Sequence, residues 1–209
     1  MKIELSKSFS TRVDRSERVI KVAEAFGLGL EDREFVVLDK VELDVSMGDV
    51  VYICGQSGSG KSVLLRELAN AVGKNHTVMT LEDIEFIDKP IIDQIGETMA
   101  DAIRLLSIAG LSDAYLYVRK PGELSDGQRY RFRLAKLIEQ GADVWVADEF
   151  GAVLDRVTAK IVAWNMAKLA RANGKMLIVA TTHLDLRDEL APTVCITKRF
   201  HDRIKVETA

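Results

Sequence analysis

Eight consecutive residues, 55–62, carry the clearest chemical pattern in this sequence. They read Gly-Gln-Ser-Gly-Ser-Gly-Lys-Ser and match G-x-x-x-x-G-K-[ST], a loop that cradles the phosphates of nucleoside triphosphates. Glycines let the backbone curl tightly, so that consecutive N–H groups point at one anion. An ordinary Gly/Ser turn is the alternative. The apolar run 50–54 before the loop and the helix-like run 63–69 after it supply the strand–loop–helix context that the motif needs.

The loop predicts a binding site for ATP and Mg²⁺. Lys61 is expected to reach the β- and γ-phosphates as a point charge, and the Ser62 hydroxyl is expected to bind Mg²⁺. The sequence leaves the choice between ATP and GTP open. The predicted nucleotide contacts of the loop are Gly55, Ser57, Gly58, Ser59, Gly60, Lys61, Ser62 and Val63.

Two adjacent carboxylates follow a fully apolar run. Asp148 comes directly after Val144–Ala147, so it is expected at the C-terminal end of a strand, where it can hold Mg²⁺ directly or through water. Glu149 is next in sequence and points in another direction, so it can address an attacking water. The alternative is that both carboxylates only cap a turn.

A second anion site is predicted at Ser125, which opens a helix. The serine hydroxyl, the backbone of Gly127 and the helix N-terminus can together bind a negatively charged group. A simple N-cap at Ser125 is compatible with the same sequence and does not compete with this interpretation.

Four landmarks after the phosphate loop closely resemble the ATP-binding cassette (ABC) ATPases, and they occur in that family's order. The resemblance extends from about residue 26 to the C-terminus. The landmarks are the signature motif 124–128 with 129–135 behind it, the Walker B strand with its glutamate at 144–149, the D-loop at 153–155, and the switch pair Thr182–His183.

The resemblance implies how these residues work. Glu149 would act on water as a general base or positioner, and His183 would hydrogen-bond the γ-phosphate and sense its loss. A satisfied buried histidine is the alternative for His183. Ser125, Gly127, Gln128 and Asp155 would complete the nucleotide site of a second protomer, so that two ATPs are sandwiched in a head-to-tail homodimer.

Two further assignments rest mainly on position relative to Lys61. Gln94 is the candidate for the Q-loop glutamine that touches Mg²⁺ and the water, and a plain surface glutamine is its alternative. Phe26 is the candidate aromatic that stacks on adenine, ahead of Phe35. A core aromatic is the alternative for Phe26.

The sequence departs from the family at three places. Val63 stands where a second hydroxyl is usual, which removes one hydrogen bond to the α-phosphate, worth about 1 kcal/mol. Asp126 replaces a glycine of the signature and should weaken the sandwich unless it points away or pairs with Arg129. Residues 150–152 lack the usual proline and hydroxyl side chains.

Strand and helix patterns alternate along the chain and predict an α/β fold. We expect a P-loop NTPase core with a parallel sheet, an N-terminal antiparallel β meander and a short inserted helical subdomain. The predicted strands are 1–5, 35–38, 41–45, 50–54, 76–80, 144–147, 176–180 and a closing hairpin of 193–198 with 203–207. Residues 6–18 are expected to be a solvated arm. Helical spacing is found at 19–26, where a strand is the alternative, and at 62–72, 91–111, 126–139 and 153–172.

We therefore predict one ABC-type ATPase domain over residues 1–209. Its core with the nucleotide site is expected in 1–90 and 141–209, and the shortened helical subdomain with the signature motif in 91–140.

Charge, hydropathy and cysteine content limit the partners and the cellular location that we expect for the protein. The formal net charge is -3, which gives no global signal for nucleic acid or an anionic membrane. There is no run long enough for a membrane span and no signal peptide pattern, so no intrinsic membrane insertion is expected. Cys54 and Cys195 lie in apolar runs and are interpreted as reduced core residues of a cytoplasmic protein, and no Cys/His cluster has metal-ligand spacing.

The predicted output is a clamp-like motion passed to a partner. The block from Gln94 to Leu124 is shorter than in transport cassettes, and the arm before Phe26 is extended. Both features favour a soluble, non-transport role on a protein or nucleic acid. The alternative is the nucleotide-binding subunit of a membrane transporter, which would associate with the membrane through its partner. A third possibility is a nucleotide-gated module that barely hydrolyses.

Overall fold

The computed structural model describes residues 1–199 and 204–208. The chain divides into two compact units: Met1–Ile3 with Leu43–Ala209, and Glu4–Glu42. This division does not follow the predicted one into a core and a helical subdomain, and the single ATPase domain stays a prediction. None of the helices in the described residues is long and apolar enough to cross a membrane.

The elements alternate between strand and helix through most of the chain. The strands are β1 (Lys2–Thr11), β2 (Arg33–Asp44), β3 (Val50–Gly55), β4 (Val78–Thr80), β5 (Val144–Ala147), β6 (Met176–Thr181), β7 (Val194–Lys198) and β8 (Lys205–Thr208). The α-helices are α1 (Glu17–Phe26), α2 (Lys61–Val72), α3 (Met99–Ile108), α4 (Ala114–Tyr117), α5 (Asp126–Glu139), α6 (Arg156–Ala172) and α7 (Arg187–Leu190). Short 3₁₀ turns lie at Ile91–Gln94, Pro121–Glu123 and Leu184–Leu186.

The larger unit is built on a six-stranded sheet of order β4-β5-β6-β3-β7-β8. The first five strands in this order are parallel, and β8 runs antiparallel to β7. The predicted α/β fold with a parallel sheet and a closing hairpin is confirmed. β3, β5 and β6 are buried on both faces, which explains why their sequences are apolar without alternation.

The parallel register brings the chemistry to one edge of the sheet. Ile53 of β3 pairs with Ala180 of β6, and Ala147 of β5 pairs with Val179 of β6. The phosphate loop, the two carboxylates and the switch pair each follow one of these three strands, so they leave the sheet at the same edge.

The helical block between β4 and β5 does not begin with the single helix that was predicted. The helical spacing over 91–111 is divided into a 3₁₀ turn at Ile91–Gln94 and α3. Gly96 separates them with φ +78°, and a β-carbon there would overlap the backbone of Ala102. Thr98 then caps α3 by accepting from the Asp101 N–H. Helix α5 has the predicted bounds, Asp126–Glu139.

The smaller unit contains α1 and most of a two-stranded sheet of β1 and β2. The prediction of a solvated arm over 6–18 was wrong for the first part of that segment, because β1 continues to Thr11. The separate strands predicted at 35–38 and 41–45 form one strand, which has a positive φ at Lys40. The Lys40 N–H donates to the Ser6 hydroxyl (3.2 Å), so a side chain of β1 provides the hydrogen-bond acceptor at this irregular point of β2.

Candidate nucleotide site

The phosphate loop takes a backbone path that glycine makes possible. Gly55, at the end of β3, has φ +148°, and a β-carbon there would overlap the backbone carbonyl of Lys198 on β7. Gly58 and Gly60 have φ +74° and +93°. Larger residues rarely adopt these angles, so the three glycines are required for a loop that turns its N–H groups inward.

Lys61 and Ser59 place polar groups inside this loop. Lys61 opens α2, is buried, and donates from Nζ to the carbonyl of Gln56 (2.7 Å). Burial lowers the pKa of Lys61, although Asp148 and Glu149 act in the opposite direction. The Ser59 hydroxyl is buried and has no hydrogen-bond partner among the described residues. A cationic amine, an unsatisfied hydroxyl and a glycine cradle together fit the phosphate groups of a nucleotide.

A cavity of about 460 Å³ joins the phosphate loop to the predicted catalytic carboxylates. Its walls come from the loop, from the turn after β5 and from the end of β6. The lining residues are Ser57, Gly58, Gly60, Lys61, Ser62, Val63, Asp148, Glu149, Ala152, Ala180, Thr181 and Thr182.

The donor set of this cavity also suits Mg²⁺. Ser62 and Asp148 supply a hydroxyl and a carboxylate, which are the hard oxygen ligands that this ion prefers. Within residues 1–199 and 204–208, no three His, Cys, Asp or Glu side chains cluster as a metal site of their own. Magnesium commonly takes one or two protein oxygens together with phosphate oxygens, and Ser62 and Asp148 fit that pattern.

The turn after β5 holds Glu149 in an unusual conformation. Glu149 is exposed and has φ +47°, which is uncommon for a residue with a side chain. Its N–H donates to Asp148 Oδ1 (2.9 Å). The next residue, Phe150, is fully buried, and its carbonyl accepts from Thr181 Oγ1 (2.9 Å). The buried phenylalanine fixes the turn while the glutamate faces the cavity.

His183 lies next to the cavity wall, although it is not among the lining residues. Its carbonyl accepts a hydrogen bond from the Tyr52 hydroxyl (2.6 Å), and its N–H donates to Thr181 Oγ1 (3.2 Å). Burial lowers the pKa of His183, and the positive charge of Arg156 lowers it further. The imidazole is therefore held in its neutral form to lower pH than a free histidine.

The signature residues form a helix start separate from this cavity. Ser125 Oγ accepts from the Gln128 N–H (3.3 Å), and Gln128 Oε1 accepts from the Ser125 N–H (2.9 Å). This reciprocal capping box leaves the first turn of α5 well ordered. Ser125, Gly127 and Gln128 do not line the cavity that holds Lys61. Asp126 is 84% exposed and pairs with Arg129 (3.5 Å), which was one of the two arrangements expected to limit its effect.

Asp155, in the predicted D-loop, caps α6, and the first residue of α6 contacts the segment after His183. Asp155 caps α6 by accepting from the Thr158 N–H (3.0 Å), and hydrogen bonds from Thr158 lower the pKa of this carboxyl. The next residue, Arg156, forms a bidentate ion pair with Asp185. A guanidinium held by both carboxylate oxygens fixes the relative position of these two segments.

Gln94 and Phe26 are not placed at the cavity by any described contact. The Gln94 amide donates to the carbonyl of Ile87 (2.9 Å), and its oxygen accepts from the Ile87 N–H (3.1 Å). The Gln94 amide is therefore hydrogen-bonded to the backbone of the segment just before it. Phe26 belongs to the smaller unit and is 76% exposed, and the alternative Phe35 is 51% exposed. The roles of all three residues stay predictions.

Some lining residues were not predicted as nucleotide contacts. Thr181 and Thr182 reach the cavity because β6 lies beside β3 and ends at the same edge. The signal was available, since Thr181 ends a buried strand and Thr182, already named with His183 as the switch pair, follows it directly. Lys198 does not line the cavity, but its contact with the loop was also missed: this buried lysine ends β7, its pKa is lowered by burial, and its carbonyl lies against Gly55. Nothing local in the sequence pairs residue 198 with the phosphate loop.

Comparisons with known proteins place this arrangement in context. No family model matches the chain. The aliphatic sulfonates import ATP-binding protein SsuB 2 of Rhodococcus jostii (strain RHA1) is 30% identical over 183 residues, which cover 78% of this chain and 73% of the relative. The macrolide export ATP-binding/permease protein MacB of Bradyrhizobium diazoefficiens is 29% identical over 187 residues. That match covers 72% of this chain but spans only 28% of the relative's length.

Solved structures agree in fold. A dimeric ATP-binding cassette in a post-hydrolysis state, bound to ADP and Pi, superposes with a TM-score of 0.69 at 17% identity. The match covers 100% of this chain and 98% of that one. A dimeric bacterial ABC transporter cassette gives a TM-score of 0.70 at 17% identity, with the same coverage.

Proposed function

The chain belongs to the ATP-binding cassette (ABC) ATPases, and we propose that it binds and hydrolyses ATP as the ATP-binding subunit of a membrane transporter. The observation that carries the ATPase part is the single cavity shared by Lys61, Ser62, Asp148 and Glu149. One side of this cavity suits phosphate oxygens, and the other presents a carboxylate to a water molecule.

In the proposed reaction, the phosphate loop and Lys61 bind the triphosphate and balance its negative charge. Ser62 and Asp148 would hold Mg²⁺, which when bound withdraws charge from the phosphate oxygens. Glu149 accepts a proton from a water molecule whose oxygen attacks the γ-phosphorus. The bond from that phosphorus to the β–γ bridging oxygen breaks, and ADP and phosphate are released.

The proposed active form is a homodimer with two nucleotides at its interface. Ser125, Gly127 and Gln128 lie outside their own chain's cavity, so a second copy is needed to bring a signature helix to each triphosphate. The dimeric state of the two structural neighbours supports this proposal. Hydrolysis then removes the γ-phosphate that the two protomers share, and the dimer reopens.

Substitution of Glu149 tests the hydrolysis step. Glu149→Gln keeps the shape of the side chain but cannot accept a proton, so kcat should fall at least about 100-fold while ATP binding survives. Glu97→Gln makes the same chemical change at an exposed residue outside the cavity and should leave kcat within about two-fold of wild type. Turnover in Glu149→Gln that equals wild type would refute the assignment.

The transport role replaces the non-transport preference drawn from the short helical block. The two relatives reported above are named as an import and an export protein, and neither name supports the non-transport interpretation. The test is purification of the ATP-locked Glu149→Gln protein from detergent-solubilised native membranes. A multi-span membrane protein recovered in fixed stoichiometry, which stimulates the wild-type ATPase, is the expected result. Recovery without a membrane protein, together with ATPase activity that nucleic acid stimulates in a steeply salt-dependent manner, would favour the non-transport role instead.

A further inference from the structure

The catalytic turn that carries Glu149 has four successive backbone N–H groups, and each has a definite acceptor. The N–H of Glu149 donates to Asp148 Oδ1, that of Phe150 to the Ala180 carbonyl and that of Ala152 to the Glu149 carbonyl. These three acceptors belong to the turn itself or to β6. The fourth N–H, that of Gly151, donates to the hydroxyl of Tyr130 (3.1 Å), which belongs to α5.

Helix α5 therefore connects the signature motif to the catalytic turn within one chain. Gly127 and Tyr130 are three residues apart, so they share one face of the helix. A β-carbon at Gly127 would lie 3.1 Å from the carbonyl of Val153, and the next turn of α5 places Tyr130 against Gly151. One helix face thus packs along the segment between Glu149 and Asp155.

The position of the Tyr130 hydroxyl is well fixed by its surroundings. The Tyr130 ring is half-buried and packs against the hydrophobic core. Burial raises the pKa of the hydroxyl well above its usual value, so the group stays neutral, and a neutral phenol oxygen can accept the Gly151 N–H. Arg131, the next residue on α5, donates to the carbonyls of Gly127 (3.2 Å) and Gly110 (2.6 Å), which further restrains the helix.

We infer that Tyr130 is a positioning residue for ATP hydrolysis, which couples the signature helix to the orientation of Glu149 in the same chain. The inference rests on the proposed function, since it needs Glu149 to act on water. When the helix start at Ser125 engages a nucleotide, the Tyr130–Gly151 hydrogen bond transmits the position of α5 to the turn. Glu149 holds its uncommon positive φ only while the surrounding bonds keep the turn in place.

The test is Tyr130→Phe, which removes the hydroxyl and leaves the ring. The matched control is Tyr117→Phe, because the Tyr117 hydroxyl also bonds a backbone group of the helical block, the carbonyl of Leu111 (3.1 Å). Tyr130→Phe should lower kcat about ten-fold, since small displacements of a catalytic group are costly, while KM for ATP stays within about two-fold. Tyr117→Phe should keep both constants within about two-fold of wild type.

Hydrogen–deuterium exchange gives a readout that does not depend on turnover. Amide exchange over residues 149–153 should rise at least about five-fold in Tyr130→Phe and stay unchanged in Tyr117→Phe. Equal kcat values for the two variants, equal exchange at this segment, or a loss of kcat in both that follows their melting temperatures would each overturn the inference. Wild-type protein without ATPase activity would instead overturn the proposed function, and the exchange comparison would still test the contact.

Discussion

At the residue scale, the site depends on charges that are partly removed from water. Lys61 is buried beneath the loop that it serves, and its amine is already directed at a loop carbonyl. Such a pre-positioned cation loses little freedom when a triphosphate binds, so most of its electrostatic attraction is available for affinity.

Neutralising this cation should weaken nucleotide binding. Lys61→Gln removes a charge-assisted hydrogen bond worth about 2 to 3 kcal/mol, so the Kd for ATP should rise about 30- to 150-fold. Isothermal titration calorimetry measures the change, and Lys74→Gln, in an exposed lysine after α2, is the matched control. An unchanged Kd in Lys61→Gln would show that the phosphates bind elsewhere.

The pKa of His183 should respond to Arg156. The pKa is lowered by burial first and by the Arg156 charge second, so the neutral imidazole persists to lower pH than in a free histidine. Arg156→Gln removes the positive charge and leaves Asp185 unpaired, and both changes favour the protonated form. The pKa of the His183 imidazole should therefore rise.

Nuclear magnetic resonance titration of the His183 imidazole measures this shift directly. Arg156→Lys keeps the positive charge and is the matched control, so its titration should stay close to that of the wild type. A His183 pKa that is the same in Arg156→Gln and wild type would mean that the ion pair does not influence this imidazole.

At the scale of elements, the order of strands determines which motifs meet. The edge strand β4 has three residues and is tied to β5 by a side chain as well as by its ladder. Asp143 Oδ2, before β5, accepts from the N–H (3.1 Å) and the hydroxyl (2.8 Å) of Thr77. Lys175, before β6, donates to Asp143 Oδ1 (3.2 Å), so that this carboxylate links the starts of three neighbouring strands.

This link predicts a specific pH dependence of stability. Hydrogen bonds from Thr77 and Lys175 lower the Asp143 pKa from 3.8 to about 2. Because the folded pKa is depressed, the stabilisation is complete above about pH 4 and is lost as the pH falls from about 4 towards 2. Asp143→Asn should lower the melting temperature at pH 7, and its deficit relative to wild type should shrink over that acid range.

Thermal melts from pH 7 to pH 2 measure the effect. Asp188→Asn, at an exposed aspartate of α7, is the control and should follow the wild-type curve. A deficit of Asp143→Asn that is independent of pH would show that the charge of the carboxylate is not what stabilises this end of the sheet.

Elements with a local signal were predictable from the sequence. Helix α5 begins at a serine with a glutamine three residues later, and this capping box fixes its start at Asp126. The buried strands β3, β5 and β6 were recognised because they are short, apolar and followed by polar motif residues. The extension of β1 to Thr11 was missed, because its polar residues gain their strand conformation from pairing with β2, which no local pattern records.

The contacts within the site also divide into those that a local sequence pattern predicts and those that join distant residues. The phosphate loop and the Asp148–Glu149 pair were predictable because each depends on neighbours in sequence. The Tyr130–Gly151 hydrogen bond and the carbonyl of Lys198 against Gly55 join residues far apart in the chain. Their positions follow from helix packing and strand register, which are decided by the whole fold rather than by any one segment.

At the scale of the whole molecule, one chain supplies half of each proposed site. The cavity at Lys61 lacks the signature residues, and the helix start at Ser125 is exposed at the end of α5. An exposed and ordered N-terminus with capping partners is suited to bind a phosphate presented by a second molecule. The central claim is therefore that ATP brings two copies together.

Light scattering of the Glu149→Gln protein tests that claim most directly, because this variant should hold ATP without cleaving it. The chain has a mass of 23.2 kDa, and addition of ATP with Mg²⁺ should about double the measured mass. Combining Glu149→Gln with Ser125→Arg, which places a bulky side chain at the signature helix, should prevent the increase while ATP still binds. A mass that stays at 23.2 kDa, when calorimetry shows that ATP is bound, would contradict the account.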